Sequence, residues 1–204
     1  MKNRNLKLAI FGFGGHSKVA YDISVLSGWK EIDFFDDNLN KSEKIVGNFK
    51  SLCESIDLYD GIFIAVGDNN IRLNKIEKLE SLTDKLITLT HPNSSISSSS
   101  KIGQGTFIGA KAVVNPLSSI GKGVIINSSS IVEHDCHIED GAHIAPGGIL
   151  CGSVRFGKKS WLGAGSVVIE NLSIGSNVII GAGASVIHDI KDNKVVVGVP
   201  AREV

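Results

Sequence analysis

The sequence predicts a two-part fold: a small Rossmann-like α/β unit over residues 1–90, then a parallel β-helix of hexapeptides over residues 91–204. Three observations predict it. From Ile96 to Val186 every sixth residue is a large aliphatic or Phe, sixteen times without a slip: Ile96, Ile102, Ile108, Val114, Ile120, Ile126, Val132, Ile138, Ile144, Leu150, Phe156, Leu162, Val168, Ile174, Ile180 and Val186. At 42% apolar residues, chance produces such a run about once in a million for a given frame. Four residues after each aliphatic comes a small or modest residue, among them Ser118, Cys136, Ala142, Ser160 and, closing the series, Ile190. Before Ile96 the period is absent, and strand, glycine turn and helix alternate instead.

Three hexads close one triangular coil, so sixteen hexads predict about five stacked coils. A large inward residue and a small one per side suit a narrow coil. The glycines that follow many aliphatics (Gly103, Gly109, Gly121, Gly157, Gly163, Gly175 and Gly181) are expected to turn the corners. Neither the 3.6-residue period of a helix nor the period of 2 of a simple strand is present.

In the first ninety residues, Lys7–Phe11 reads as a buried strand and Gly12–Ser17 as a glycine turn. A helix follows over residues 16–26, with Val19, Ala20, Ile23 and Leu26 at helical spacing. Residues 32–35 read as a second strand ending in Asp36–Asp37, and residues 61–66 as a third. Gly67 then opens a helix to about Leu82, and residues 86–89 read as a fourth strand. This βαβ order predicts a small parallel sheet. The serine-rich stretch Ser94–Ser100 keeps the hexad frame and reads as the first coil.

Lys plus Arg equals Asp plus Glu, 21 against 21, so no net field favours nucleic acid or an anionic membrane. No apolar run approaches a spanning length, and the polar Met1–Asn5 lacks a signal-peptide core. Three cysteines, Cys53, Cys136 and Cys151, show no CxxC spacing and fit a reducing cytoplasm. Cys136 occupies a small inward slot and reads as core filler.

A glycine turn feeding a helix N-terminus is a phosphate cradle in waiting, since the backbone approaches closely and the helix dipole favours an anion. The strict GxGxxG pattern is incomplete, with Ser17 at its third glycine. Asp36 at the end of the second strand is placed to accept hydrogen bonds from ribose. A nicotinamide-dehydrogenase reading of this turn leaves the β-helix unexplained.

His134, His137 and His143 fall within ten residues, all outside the inward slots. They point outward or lie at corners, which does not favour convergence on a metal. Glu133 stands where other hexads often carry Gly. A histidine titrating near neutrality is suited to take the proton an amine sheds as it attacks a thioester, and the adjacent Asp135 would raise its basicity.

The chain resembles the hexapeptide-repeat nucleotide-sugar acetyltransferases, of bacillosamine and perosamine N-acetyltransferase and sialic acid O-acetyltransferase type. The shared elements run in order over residues 6–204: the glycine turn ending Gly14–Gly15–His16, Asp36–Asp37, the Gly67–Arg72 motif, Ser130–Ile131–Val132–Glu133–His134–Asp135–Cys136, and Gly198–Val199–Pro200–Ala201. The resemblance implies a left-handed β-helix, a homotrimer, and acetyl-CoA as co-substrate with no metal. It implies His134 as general base tuned by Asp135, where relatives often have Glu. It places His143 at acetyl-CoA between subunits, Ala164 and Ala182 along the pantetheine groove, and Gly198–Ala201 near the cofactor. Gly14, Gly15 and His16 would hold the sugar nucleotide, with Asp36 and Asp37 at base or ribose and Gly67 beside it. The implied activity is N-acetylation of a UDP- or dTDP-linked 4-amino-deoxy sugar in bacterial surface glycan biosynthesis. O-acetylation of a sialic-acid-type sugar, and a non-catalytic sugar-nucleotide-binding scaffold, are the alternatives.

Overall fold

The computed structural model describes residues 6–204, so the polar segment Met1–Asn5 lies outside the described residues. The chain divides into two compact units, the first ending at Pro92 and the second running Asn93–Val204.

In the first unit, β1 (Lys7–Phe11), β2 (Glu31–Phe35), β3 (Ile45–Gly47) and β4 (Gly61–Ile64) form a parallel sheet in the order β3-β2-β1-β4. Leu8, Ala9, Ile10, Ile62, Phe63 and Ile64 are 0% exposed, the unbroken apolar run of central parallel strands. Helices α1 (Gly15–Leu26), α2 (Phe49–Glu54) and α3 (Asn69–Glu80) complete the unit.

Three local expectations are corrected, and β3 and α2 lie outside them. The buried side of α1 is Ser17, Ala20, Ile23 and Ser24, while Val19 and Leu26 are exposed. Ser17 and Ser24 donate to the carbonyls of Gly14 and Ala20, at 2.8 and 2.7 Å, so these hydroxyls go inward already satisfied. β3 and α2 carry too few residues to show a period. The third strand stops at Ile64. The fourth is reduced to a bridge between Leu86 and Ile62.

The second unit is a three-faced parallel stack. Its first face carries Ser95–Ile96, Val113–Val114, Ile131–Val132, Ile149–Leu150, Val167–Val168 and Ser185–Val186. The second carries Lys101–Ile102, Ser119–Ile120, His137–Ile138, Arg155–Phe156 and Ser173–Ile174. The third carries Phe107–Ile108, Ile125–Ile126, His143–Ile144, Trp161–Leu162 and Ile179–Ile180. In each dipeptide the second residue points in, and from Ile108 to Val186 all these residues are 0–3% exposed. Burying each such side chain contributes roughly 1.5–3 kcal/mol. Hydroxyls in the small slot are also buried and bonded: Ser118 and Ser160 donate to the carbonyls of Glu133 and Gly175, each at 2.7 Å.

The glycines after the aliphatics have a different purpose from the one expected. None has a left-handed φ. That conformation falls two residues later, at Leu117, Asp135, Lys159 and their equivalents. A Cβ at Gly103 or Gly157 would lie 2.5 or 2.4 Å from backbone of the next coil, so these glycines permit close stacking.

Past Val186 the stack continues on a shortened frame: Ile174 bridges to Ile190 and Ile180 pairs with Val196, sixteen residues on rather than eighteen. Ile190 therefore fills an aliphatic slot, not the small slot expected of it. With Ile190 and the strand Val195–Val197 the stack reaches about six coils, not five. An antiparallel strand, Arg202–Glu203, closes the end.

The outward residues differ by face. The second face shows Lys101, Ser119, His137, Arg155 and Ser173. The first shows Val113, Ile131, Ile149 and Val167 between Ser95 and Ser185, and the third Phe107, Ile125, His143, Trp161, Ile179 and Val195.

Candidate active site

His134 stands on the corner that leads from the first face to the second. Asp135 follows it in the left-handed region, φ 58°, as do Leu117, Ser153 and Asn171 at the same corner of neighbouring coils. Aspartate tolerates this conformation better than most residues. The turn brings Asp135 Oδ2 to 2.8 Å from His134 Nδ1, with the two side chains 60% and 51% exposed. A pair this exposed adds only about 0–1 kcal/mol to stability. Its more direct effect is on the ring: a carboxylate only accepts, so in the neutral ring Nδ1–H donates to it and Nε2 is left as the acceptor nitrogen.

Glu133 needs no special reason in its slot. Neighbouring coils carry Asn115, Cys151 and Ile169 there, so this corner has no stacking glycine. Asn115 Nδ2 donates to Glu133 Oε2 at 2.8 Å. Cys136 is 1% exposed and its thiol donates to the Cys151 carbonyl at 3.1 Å. Burial pushes that thiol up to about 11, so it is a neutral packing group rather than a nucleophile.

His143 projects from the third face, its ring 6.2 Å from Trp161 and its Nε2 3.2 Å from Asn127 Nδ2. Ala164 and Ala182 are exposed one coil apart on the corner between the third and first faces, where Gly183 N–H donates to the Ala164 carbonyl at 2.9 Å. The Gly198 carbonyl accepts from Ser185 N–H, and Ala201 N–H donates to the Ser185 carbonyl, fastening the C-terminal loop to the same region. One chain does not bring His134 and His143 together: they belong to different sides of the stack. His137 points from the second face. Among the described residues no three His, Cys, Asp or Glu side chains are grouped to hold a metal ion.

In the first unit, Gly14, Gly15, His16, Asp36 and Gly67 line one cavity of about 250 Å³. Gly12, also in its lining, has φ +113°, and a Cβ there would lie 2.6 Å from the Ala65 carbonyl oxygen, so only glycine fits. Gly14, Gly15 and Gly67 differ: a Cβ on any of them would meet nothing within 4 Å. Their missing side chains leave the backbone open to the cavity.

Asp36 accepts from Phe13 N–H and Asn38 N–H, each at 2.8 Å, and from Lys41 Nζ at 2.9 Å. Burial alone would raise its pKa, but the bonds from Lys41, Asn38 and Phe13 together hold it below the ordinary value. Its oxygens thus serve the glycine turn first. Asp37 is not in the cavity lining. It pairs with Lys75 at 2.7 Å and accepts from Phe49 N–H, and these bonds outweigh burial to lower its pKa. His16 is lowered to about 4 by burial and by the nearby Arg72 charge, and is neutral at pH 7.

Sequence reasoning missed Lys41 and the positioning use of Arg72. The buried Arg72 guanidinium donates to the carbonyls of Val66 and Gly67, each at 3.0 Å, and to Asn69 Oδ1 at 2.8 Å, fixing the second turn. Only the Arg at the end of the Gly67–Arg72 motif signalled it. Phe34, with Phe13 and Tyr21, lines a neighbouring cavity of about 560 Å³ rimmed by Lys18 and Lys44.

Comparison with known proteins agrees with this architecture. The PglD N-terminal domain model matches residues 7–79, and the bacterial transferase hexapeptide (six repeats) model matches residues 153–188. The UDP-N-acetylbacillosamine N-acetyltransferase of Bacillus subtilis (strain 168) is 36% identical over 117 residues, 54% of this chain. That match spans about half of the relative's length, 52%. The acetyltransferase domain of PglB from Neisseria gonorrhoeae FA1090, solved with acetyl coenzyme A, superposes with TM-score 0.93 at 38% identity, over 98% of this chain and 100% of that one. PerB from Caulobacter crescentus, solved with CoA and GDP-perosamine, superposes with TM-score 0.92 at 31% identity, over 97% of each chain. With its α/β unit and left-handed β-helix class, the chain belongs to the hexapeptide-repeat nucleotide-sugar acetyltransferases.

Proposed function

We propose that the protein transfers the acetyl group of acetyl-CoA to the amine of a UDP- or dTDP-linked 4-amino-deoxy sugar, in bacterial surface glycan biosynthesis. The observation that carries the reading is the exposed His134 with Nδ1 held by Asp135 at 2.8 Å. In this reading His134 Nε2 takes a proton from the sugar ammonium or from the amine as it attacks the thioester carbon. A C–N bond forms, the tetrahedral intermediate collapses, the C–S bond breaks, and the CoA thiolate leaves and is protonated. Asp135 keeps the tautomer and steadies the imidazolium.

Acetyl-CoA would lie in a groove between subunits, touching His143, the backbones at Ala164 and Ala182, and the Gly198–Ala201 loop. Because His134 and His143 stand on different sides of one chain, a site using both needs two copies. The apolar outward ladders on the first and third faces support a homotrimer with the polar second face outward. The sugar nucleotide's phosphates would approach Gly14, Gly15 and Gly67 beside the neutral His16, with Asp36 and Asp37 as near neighbours of base or ribose. Three free thiols are in keeping with a cytoplasmic setting. No described helix is long and apolar enough to cross a membrane.

Mass-spectrometric product detection with acetyl-CoA and a panel of UDP-, dTDP- and GDP-linked amino sugars tests the reading. Addition of one acetyl group to a UDP or dTDP substrate is expected. Acetylation of a hydroxyl sugar alone, or of none, overturns it.

A further inference from the structure

Gly152 lies one coil above His134, at the same corner position eighteen residues on. A Cβ placed on it would stand 2.7 Å from His134 Cε1, 2.8 Å from Nε2 and 3.4 Å from Nδ1. Carbon in favourable contact needs about 3.5–4.0 Å. The imidazole therefore lies against the Gly152 backbone, its reactive edge over the missing side chain.

Backbone conformation gives no reason for glycine here. Gly152 is not among the residues with left-handed φ. The same corner position carries Pro116 and Glu170 in neighbouring coils, while the residue after it is left-handed in every one: Leu117, Asp135, Ser153 and Asn171, φ 58–62°. Side chains are thus accommodated at this point of the coil. The three atoms nearest such a Cβ are all ring atoms of His134, whereas at the stacking glycines Gly103 and Gly157 they are backbone.

We infer that Gly152 is a positioning residue for the His134 base: its lack of a side chain lets the imidazole lie flat, and with Asp135 it sets where Nε2 points. Asp135 fixes the ring by a bond on one nitrogen, and Gly152 by leaving room under the other. This rests on the proposed role of His134. A methyl at Gly152 must push the ring aside by several tenths of an ångström or more, and misplacement of about 1 Å at a reacting group costs of order 10²-fold in rate.

The test has two arms. In the wild-type protein, nuclear Overhauser contacts between the His134 Cε1 proton and the Gly152 α protons are expected, and Gly152→Ala should shift the His134 ring signals while the melting temperature stays within a few degrees. This arm needs no turnover, so it judges Gly152 whatever becomes of the acetyltransferase reading. In kinetics, Gly152→Ala should lower kcat about 10–100-fold with both KM values within about threefold. The same change made on top of His134→Ala should cost less than about twofold, since there is no imidazole left to displace. Absence of the wild-type contact, unchanged ring signals in Gly152→Ala, or an equal loss in the His134→Ala background overturns the inference.

Discussion

In the β-helix the inward aliphatics from Ile108 to Val186 are 0–3% exposed, and the buried polar groups beside them are hydroxyls. The pocket of the first unit is assembled the other way: a carboxylate with three donors, a buried guanidinium on two turn carbonyls, and a neutral imidazole. In the first case geometry repeated every eighteen residues holds the backbone, and a corner side chain such as His134 is free for chemistry. In the second, polar side chains hold two glycine turns whose backbone lines the cavity. Substitution should therefore read differently in the two units: through packing volume in the one, through charge and pH in the other.

The largest effect is expected in the stack. Phe156→Ala should cost about 3–5 kcal/mol, because a fully buried ring is lost from a core with little room to collapse. Denaturant unfolding followed by a probe in the second unit checks this, and a loss under 1 kcal/mol would break the packing side of the comparison.

The next effect belongs to the first unit and depends on pH. His16 has a folded pKa of about 4 against an ordinary value of 6.5. Between those values the unfolded chain binds the proton and the folded one resists it, so stability falls as pH drops from 6.5 to 4 and is insensitive to this group above 6.5. The full difference is on the order of 3 kcal/mol. Urea midpoints of wild type and His16→Gln at pH 7 and 4.5 check it: the variant should lose most of the pH dependence that wild type shows.

Smaller effects follow at the two sites. Asp135→Ala should lower kcat roughly fivefold, since an exposed pair is worth about 1 kcal/mol and 1.36 kcal/mol is a factor of ten. Steady-state kinetics with saturating acetyl-CoA measure it. Lys41→Ala releases one partner of Asp36 and should raise KM for the sugar nucleotide about fivefold with kcat nearly unchanged, because Lys41 is itself half-exposed. Equal losses in kcat and KM there would blur the division of labour between the units.

The β-helix was legible because its rule recurs: sixteen aliphatics in one frame outweigh any local ambiguity. Where recurrence failed, so did the reading. The two-residue shortening that moves Ile190 into an aliphatic slot happens once and leaves no pattern. The stacking glycines were visible but their purpose was not, since a Cβ clash with the next coil is invisible along one chain. His134 and Asp135 could be paired from adjacency because the turn between them is local. Arg72, Lys41 and Gly152 act across 3 to 18 residues, through contacts that only the folded backbone creates. α1 misled for a physical reason as well: serines that bond to their own helix carbonyls can face a core that their polarity argues against.

The central claim is that chemistry rides on one corner of the β-helix while substrate choice belongs to the glycine pocket. Single-turnover acetyl transfer by His134→Ala, on the sugar nucleotide that wild type accepts best, tests it most directly. The account predicts a loss of 10²–10⁴-fold in rate with substrate affinity within a few fold. A His134→Ala enzyme that turns over within a few fold of wild type would contradict it.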